Sequence, residues 1–228
     1  MGRGSSKGRG SVGAGGKAVD NVMTQTGYMA DLKGTPLIYG GNDGAITGAT
    51  RKTLEAQEKK RQNANIEYAL ILDAKGNVIG TERSGNNGSV SIGGAQLMYG
   101  KIFTHNHPRS GKETGYLGGP FSGADLKIFA DYGFQTMRAS AAEGTYSMTK
   151  TTTFNKTGFK KYMKQVEKTR VGEFQSAVAK LQSQNNGSMS YGQYRAAKAK
   201  LFNEWMVNIH NDLLAGQKQY GYTYTLEG

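Results

Sequence analysis

The sequence contains no cysteine, only three prolines and only three histidines among its 228 residues. The absence of cysteine excludes disulfides, thiolate metal ligands and cysteine nucleophiles, so any bound metal must use nitrogen and oxygen ligands. Long apolar runs are also absent: no segment reaches the length of a membrane-spanning helix, and residues 1–17 lack the apolar core of a signal peptide. We therefore expect no membrane partner.

Acidic residues are the scarcer charged type, because 17 Asp and Glu stand against 29 Lys and Arg, a formal net charge of +12. The basic residues concentrate in three segments: 1–17, 51–61 and 156–170. Such segments occur as solvated helix faces and flexible tails, and they also occur where a protein contacts a polyanion. Both interpretations remain open, and the basic tail and helices make nucleic acid a candidate partner.

Changes in composition and in hydrophobic period divide the chain into five predicted segments. Residues 1–17 form a disordered, basic, glycine-rich tail, 18–63 a helical or irregular extension, 64–155 a metal-binding domain, 156–217 an α-helical hairpin and 218–228 a terminal strand that can join the sheet. Within the extension, the polar run 49–63 predicts an exposed helix. The predicted fold class is α/β (α+β), with a curved, mainly antiparallel sheet flanked by helices.

The central segment alternates between strand and helix patterns. The apolar run "IEYALILD" (66–73) predicts a buried strand, and "AKGN" predicts a turn into a returning strand, "VIGTE". A second strand, "KIFTHNHP" (101–108), runs into the histidines, and "SGADLKIFADYG" (122–133) predicts a helix capped by its first serine. In the last long helix Trp205 belongs to the apolar stripe, whereas we expect His210 on the helix surface.

Two of the three histidines lie one residue apart in "THNHP". Because alternate side chains of a strand point to the same side, His105 and His107 can present two imidazoles to one ion, and Pro108 ends the strand there. Asp125, in the first turn of the next helix, is the nearest candidate for a third ligand of Zn²⁺. The alternative is a pair of loop histidines that make ordinary hydrogen bonds.

Two further polar residues suit hydrolytic chemistry around such an ion. Glu67 begins a strand that is otherwise apolar, where a carboxylate is unfavourable unless it is paired or has a chemical role, such as accepting a proton. Ser122 lies three residues before Asp125 and can donate a hydrogen bond to an oxyanion, or can serve as a helix cap. A neighbouring lysine that pairs with Glu67 is the alternative to a general base.

The pattern "E…THNHP…SGAD" resembles the JAB/MPN (JAMM) metalloprotease superfamily, and the wording is most similar to RadC-type domains and domains of phage minor head proteins. The resemblance covers residues 64–150. It implies the family's layering, similar to that of cytidine deaminases, and a zinc ion bound by His105, His107 and Asp125. It also implies Glu67 as general base and Ser122 as the serine that steadies the oxyanion.

The sequence departs from the family pattern at one point, and the resemblance leaves two functions open. Seventeen residues separate His107 from Asp125, so the insert 109–121 is either a lid or a sign that Asp125 does not reach the metal. We expect a phage-associated, zinc-dependent peptidase or isopeptidase in the bacterial cytoplasm or the virion, acting on a peptide or isopeptide substrate. The alternative is a non-catalytic structural or DNA-associated virion protein that contacts other phage structural proteins.

Overall fold

The computed structural model describes residues 40–41, 46, 48–79, 82–86, 88–91, 98–108 and 115–227. The predicted tail and most of the predicted extension lie outside these residues. The fold is mixed α/β: one open sheet carries helices on both faces, and a pair of long helices precedes the last strand. Among the helices in these ranges, none has the length and apolar character needed to cross a membrane.

The sheet is mixed and mainly antiparallel, as the sequence predicts. Its strands are β1 (Gly40–Gly41), β2 (Tyr68–Leu72), β3 (Arg83–Ser84), β4 (Ile102–Asn106), β5 (Thr136–Ala141), β6 (Gly144–Lys150) and β7 (Tyr222–Glu227). They lie in the order β1-β7-β6-β5-β4-β2-β3. Strands β4 and β5 pair in parallel, and the other pairs of described strands are antiparallel.

Four helices are described: α1 (Gly48–Lys59), α2 (Gly123–Asp131), α3 (Lys156–Asn185) and α4 (Tyr191–Tyr220). The main core packs the apolar sides of α2, α3 and α4 against one face of the sheet. A smaller cluster on the other face includes Leu54 of α1 and Leu70, Leu72 and Ile102 of the sheet. Burying both faces requires strands that are apolar on nearly every residue, which explains the unbroken run that contains β2.

Strand β4 shows how this two-faced sheet positions the histidines. All five of its residues are buried. Ile102 and Thr104 face α1, where Ile102 joins the smaller cluster and the Thr104 hydroxyl donates to Glu58 at 2.8 Å. Phe103 points to the opposite face, into the main core, and His105 stacks on its ring at 5.3 Å between centroids. The alternation of a strand therefore directs His105 to the face covered by α2.

A buried ion-pair network lies between α1 and the sheet. The guanidinium of Arg138, on β5, donates to Glu58 of α1 at 2.8 and 3.1 Å and to Glu227 of β7 at 3.1 and 3.0 Å. Burial opposes the positive charge, but the two carboxylates outweigh burial and raise the pKa of Arg138 above its usual value. Because a lone buried charge is strongly unfavourable, these three residues fix α1 and β7 on β5.

The helix pair α3 and α4 forms the predicted helical hairpin, and it returns the chain to the sheet. Helix α4 begins with a capping box at Ser190 and ends at Gly221, whose φ of 70° lies in the left-handed region. Strand β7 follows at once and pairs with β6 along its whole length, from Lys150↔Tyr222 to Thr145↔Glu227. The returning strand thus lies inside the sheet, between β6 and β1.

Two local predictions are wrong or incomplete, and a third is confirmed. Helix α1 is not wholly exposed, because Leu54 and Glu58 are buried against the sheet. His210 is fully buried rather than on the surface, and its Nδ1 lies 2.7 Å from the hydroxyl of Tyr224 in β7. The predicted hairpin after β2 is present in the residues described, because Leu72 pairs with Val78 in an antiparallel bridge and the returning chain pairs with the start of β2 as β3.

Candidate metal centre

The two motif histidines lie at the end of β4, between β2 and β5. His105 pairs with Ala69 of β2 and with Ala139 of β5, and the backbone N–H of His107 donates to the carbonyl of Ser140 at 2.8 Å. Both side chains are almost fully buried. The strand register therefore fixes the backbone of both histidines in the middle of the sheet.

The ring nitrogens of the two histidines converge. Nε2 of His105 lies 3.1 Å from Nε2 of His107. Nδ1 of His107 lies 3.2 Å from the carbonyl oxygen of Gly118 and 3.0 Å from that of Gly119, so Nδ1 carries the proton and donates it. With the proton on Nδ1, the neutral form of the ring carries its lone pair on Nε2, which is the form that a metal ligand requires.

Asp125 reaches both histidines despite the long insert. Its Oδ1 lies 3.5 Å from Nε2 of His105, and its Oδ2 lies 3.8 Å from Nε2 of His107. Asp125 is the third residue of α2, and its carboxylate also accepts a hydrogen bond from the backbone N–H of Ser122 at 2.8 Å. A capping interaction of the helix thus directs the carboxylate toward the histidine pair.

Glu67 immediately precedes β2, its side chain is buried, and one of its carboxylate oxygens lies within 4.8 Å of a ring nitrogen of each histidine. Its Oε2 has no hydrogen-bond partner. The side chain of Asn106, between the two histidines in sequence, accepts from the N–H of Tyr68 at 2.7 Å and donates to the carbonyl of Ile66 at 3.1 Å. Asn106 therefore holds the backbone on both sides of Glu67.

The two carboxyl groups of the site differ in their acidity. Burial and then the negative charge of Asp125 raise the pKa of Glu67 to about 8, although His107 opposes this rise. Burial also acts to raise the pKa of Asp125, but His105 and His107 outweigh it and hold that pKa well below its usual range. The site thus combines one strongly ionised carboxylate with one carboxyl group that retains its proton near neutral pH.

The arrangement of donor atoms suits a metal ion. One ligand atom from each of Glu67, His105 and His107 lies within 4.8 Å of the others, so these residues can hold a metal ion. Ligands about 2.05 Å from a tetrahedral zinc ion are roughly 3.4 Å apart. The separations of 3.1, 3.5 and 3.8 Å among His105, His107 and Asp125 are close to that value.

Ser122 occupies the N-cap position of α2, as the sequence predicts. Its hydroxyl oxygen accepts a hydrogen bond from the backbone N–H of Asp125 at 3.1 Å, and its backbone N–H donates to the Asp125 carboxylate in return. This capping box satisfies two backbone donors at the start of the helix. The hydroxyl keeps its own proton available for donation, so capping does not exclude a second role.

Sequence reasoning missed two residues that support the site. The position of Asn106 could have been predicted, because side chains alternate along a strand and its side chain therefore lies on the face opposite the two histidines. Glu143, in the turn between β5 and β6, gave no such signal, since acidic residues are common in exposed turns. Its carboxylate accepts hydrogen bonds from the N–H groups of Gly118 and Gly119, the residues whose carbonyls contact His107.

Four of the five predicted site residues thus meet around the histidine pair, and Ser122 is joined to them through Asp125. They come from the start of β2, the end of β4 and the first turn of α2. Comparison of the whole chain with family models, curated proteins and solved structures finds no match.

Proposed function

We propose that this protein is a zinc-dependent hydrolase of the JAB/MPN type that cleaves a peptide or isopeptide bond in a phage-associated setting. The observation that carries the proposal is the convergence of two buried Nε2 atoms, 3.1 Å apart, on the carboxylate of Asp125, with Glu67 alongside. The proposal includes the layering of the JAB/MPN fold, and a mixed sheet with helices on both faces is compatible with it.

His105, His107 and Asp125 would hold the zinc ion, and their nitrogen and oxygen atoms match its ligand preferences. Three protein ligands leave one coordination position for water or substrate, and zinc in such a site lowers the pKa of water and polarises a carbonyl group. The ion would also compensate the negative charge of Asp125, whose side chain is only 14% exposed to solvent.

Glu67 acts as the proton carrier in this proposal. Its Oε2 is buried and accepts no hydrogen bond, and the positive charge of the ion would lower its raised pKa, so that Glu67 could take a proton from water and return it to the leaving nitrogen. Asn106 keeps it in place by binding the backbone of both its neighbours. Ser122 donates its hydroxyl proton toward the oxygen of the scissile carbonyl as negative charge develops there.

Elemental mass spectrometry on protein purified without a histidine tag or chelator tests the metal centre. We expect about one zinc per chain in the parent, and loss of zinc in His107→Ala and Asp125→Asn. Asp131→Asn is the matched control, because it makes the same change at the other end of α2, where Asp131 pairs with surface lysines. Zinc that survives Asp125→Asn but not Glu67→Gln would assign Glu67 as the third ligand.

Hydrolysis is tested on a quenched-fluorescent peptide library and on an isopeptide joined through a lysine side chain. The parent should cleave one of these probes, and Glu67→Gln should lose activity by a factor of at least about 10², because a general base contributes 10²–10⁴-fold. Equal activity in Glu67→Gln and the parent would remove Glu67 from the proposed chemistry. A parent that binds zinc and cleaves neither probe would favour the second candidate.

The second candidate is a non-catalytic structural or DNA-associated virion protein, and the surface of α3 favours it. Lys156, Lys160, Lys164 and Lys168 recur every fourth residue and are all exposed, so they form one row about 18 Å long. Asp131 offsets part of this charge, because it lies 3.2 Å from Lys156 and 2.9 Å from Lys160. A row of lysines on one helix face suits contact with successive phosphates.

A salt titration of duplex DNA binding separates this candidate from the first. If the row binds phosphates, affinity should fall steeply with salt, and Lys164→Gln with Lys168→Gln should reduce the log–log slope by about 2. Lys180→Gln, farther along the same helix, is the control and should change the slope less. No binding at low salt would exclude this role for the row.

A further inference from the structure

We propose that Glu143 is a positioning residue of the metal centre, which acts on His107 through the peptide group that joins Gly118 to Gly119. This inference rests on the proposed function, because it concerns how a metal-binding histidine is held. Glu143 does not contact the candidate ion. It lies in the turn between β5 and β6, whereas the two glycines belong to the segment that precedes α2.

The chain of hydrogen bonds is continuous from the carboxylate to the imidazole. Oε1 of Glu143 accepts from the N–H of Gly119 at 2.7 Å, and Oε2 accepts from the N–H of Gly118 at 3.0 Å. On the other side, Nδ1 of His107 lies 3.2 Å from the carbonyl oxygen of Gly118 and 3.0 Å from that of Gly119, so the two carbonyls share its proton. One peptide group, the carbonyl of Gly118 with the N–H of Gly119, therefore lies between the carboxylate and the ring.

This arrangement performs the task of a carboxylate that binds a metal-ligating histidine directly. In such sites the second ring nitrogen donates to a carboxylate or carbonyl, which fixes the tautomer and the ring orientation and makes the ligand more basic. Here the carboxylate polarises the peptide N–H, and the polarised carbonyl becomes a better acceptor for the Nδ1 proton of His107. The effect of Glu143 on the ring thus passes through one peptide group.

The segment that carries this peptide group is tightly held on its other sides. Gly119 has a φ of 77°, and a side chain there would collide with Met206 of α4. The N–H of Leu117 donates to the side chain of Asn203, also on α4, at 2.9 Å. Glu143 itself accepts a further hydrogen bond from the hydroxyl of Tyr146 at 3.0 Å. Removing the carboxylate therefore leaves the N–H groups of Gly118 and Gly119 without this acceptor, in a segment that is held on its other sides.

Burial raises the pKa of Glu143, and hydrogen bonds from the N–H groups of Gly118 and Gly119 and from the hydroxyl of Tyr146 oppose that rise. Gln at this position keeps the size of the side chain, but its amide nitrogen is a donor and cannot accept from either glycine. Tyr146→Phe is the matched control, because it removes one hydrogen bond from the same carboxylate and leaves both bonds to the glycines. The two variants thus separate the effect on the peptide group from a general loss of packing.

The test is the affinity for Zn²⁺, measured by competition with a chromophoric chelator, on the full chain of each variant after its fold is checked by circular dichroism. Glu143→Gln should bind Zn²⁺ about 10–100-fold more weakly than the parent, the range found for outer-shell partners of metal ligands. Tyr146→Phe should stay within about three-fold of the parent. The visible spectrum of the Co²⁺-substituted protein should also change in Glu143→Gln, because it reports the orientation of the ligands.

Equal Zn²⁺ affinity in Glu143→Gln and the parent would overturn the inference and leave the proposed function standing. Equal losses in Glu143→Gln and Tyr146→Phe, with unchanged Co²⁺ spectra, would also overturn it, since they would reflect general stability. A parent that binds no Zn²⁺ would overturn both proposals. If Glu143→Gln does not fold, imidazole nitrogen spectra of the Zn²⁺-loaded parent decide: a proton on Nδ1 of His107 supports the inference, and an unprotonated Nδ1 refutes it.

Discussion

Replacing Glu67 with Gln should stabilise the metal-free protein, and the gain should grow with pH. The Glu67 carboxyl has a pKa of about 8 in the fold, against an ordinary value of 4.5. The folded chain therefore binds this proton more tightly than the unfolded chain, so the free energy of unfolding falls as pH rises from 4.5 to 8. At about 1.4 kcal/mol per pH unit, the whole loss is about 5 kcal/mol.

Gln has nearly the shape of a protonated Glu and carries no charge at any of these pH values, so the variant escapes this loss. Urea unfolding in EDTA at several pH values from 4 to 9 measures the difference between the parent and Glu67→Gln. We expect a difference near zero at pH 4.5 that rises toward about 5 kcal/mol above pH 8. Glu55→Gln, which changes an exposed carboxylate of α1, should show no such trend. A difference in the free energy of unfolding that stays constant with pH would refute the argument that burial raises the pKa of Glu67.

Three further substitutions test the supports of the fold. Asn106→Ala should lower the free energy of unfolding, measured in urea, by about 2–3 kcal/mol, because the backbone groups of Ile66 and Tyr68 lose their partner. It should also weaken Zn²⁺ binding, and an unchanged Zn²⁺ affinity would contradict the positioning role of Asn106. Arg138→Met should cost about 3–5 kcal/mol in the same assay, whereas adding Glu58→Leu should recover part of that loss, and a further loss would contradict the electrostatic account. Gly221→Ala should lower Tm by about 3 °C or more in calorimetry, because the left-handed backbone disfavours any side chain; an unchanged Tm would be inconsistent with that strain.

The secondary structure around the site could be predicted from the sequence because each element is indicated by residues that are close together in the chain. The unbroken apolar run predicted β2, the serine before the acidic residue predicted the start of α2 at Gly123, and the proline predicted the end of β4 near His107. Each signal depends on residues within one turn or one strand, where hydrogen bonding and side-chain direction follow directly from sequence.

The remaining features depend on contacts between distant segments. The polar neighbours of Glu58 predict an exposed helix, yet its partner Arg138 lies 80 residues away along the chain. The apolar stripe of α4 runs beside His210 and predicts a surface position, yet the hydroxyl that contacts its ring belongs to Tyr224 of β7. Glu143 contacts the segment before α2 across 24 residues. A single sequence carries no local trace of such partners.

The position of the helix pair also bears on how the chain folds. Strands β6 and β7 are antiparallel neighbours, yet residues 151–221 separate them. Bringing the ends of a flexible loop of roughly 70 residues together costs about 4 kcal/mol in entropy, apart from a constant. Two antiparallel helices of equal length shorten that search, since their pairing returns Tyr222 to the neighbourhood of Lys150. The hairpin thus acts as a folded spacer that lowers the effective contact order of the sheet.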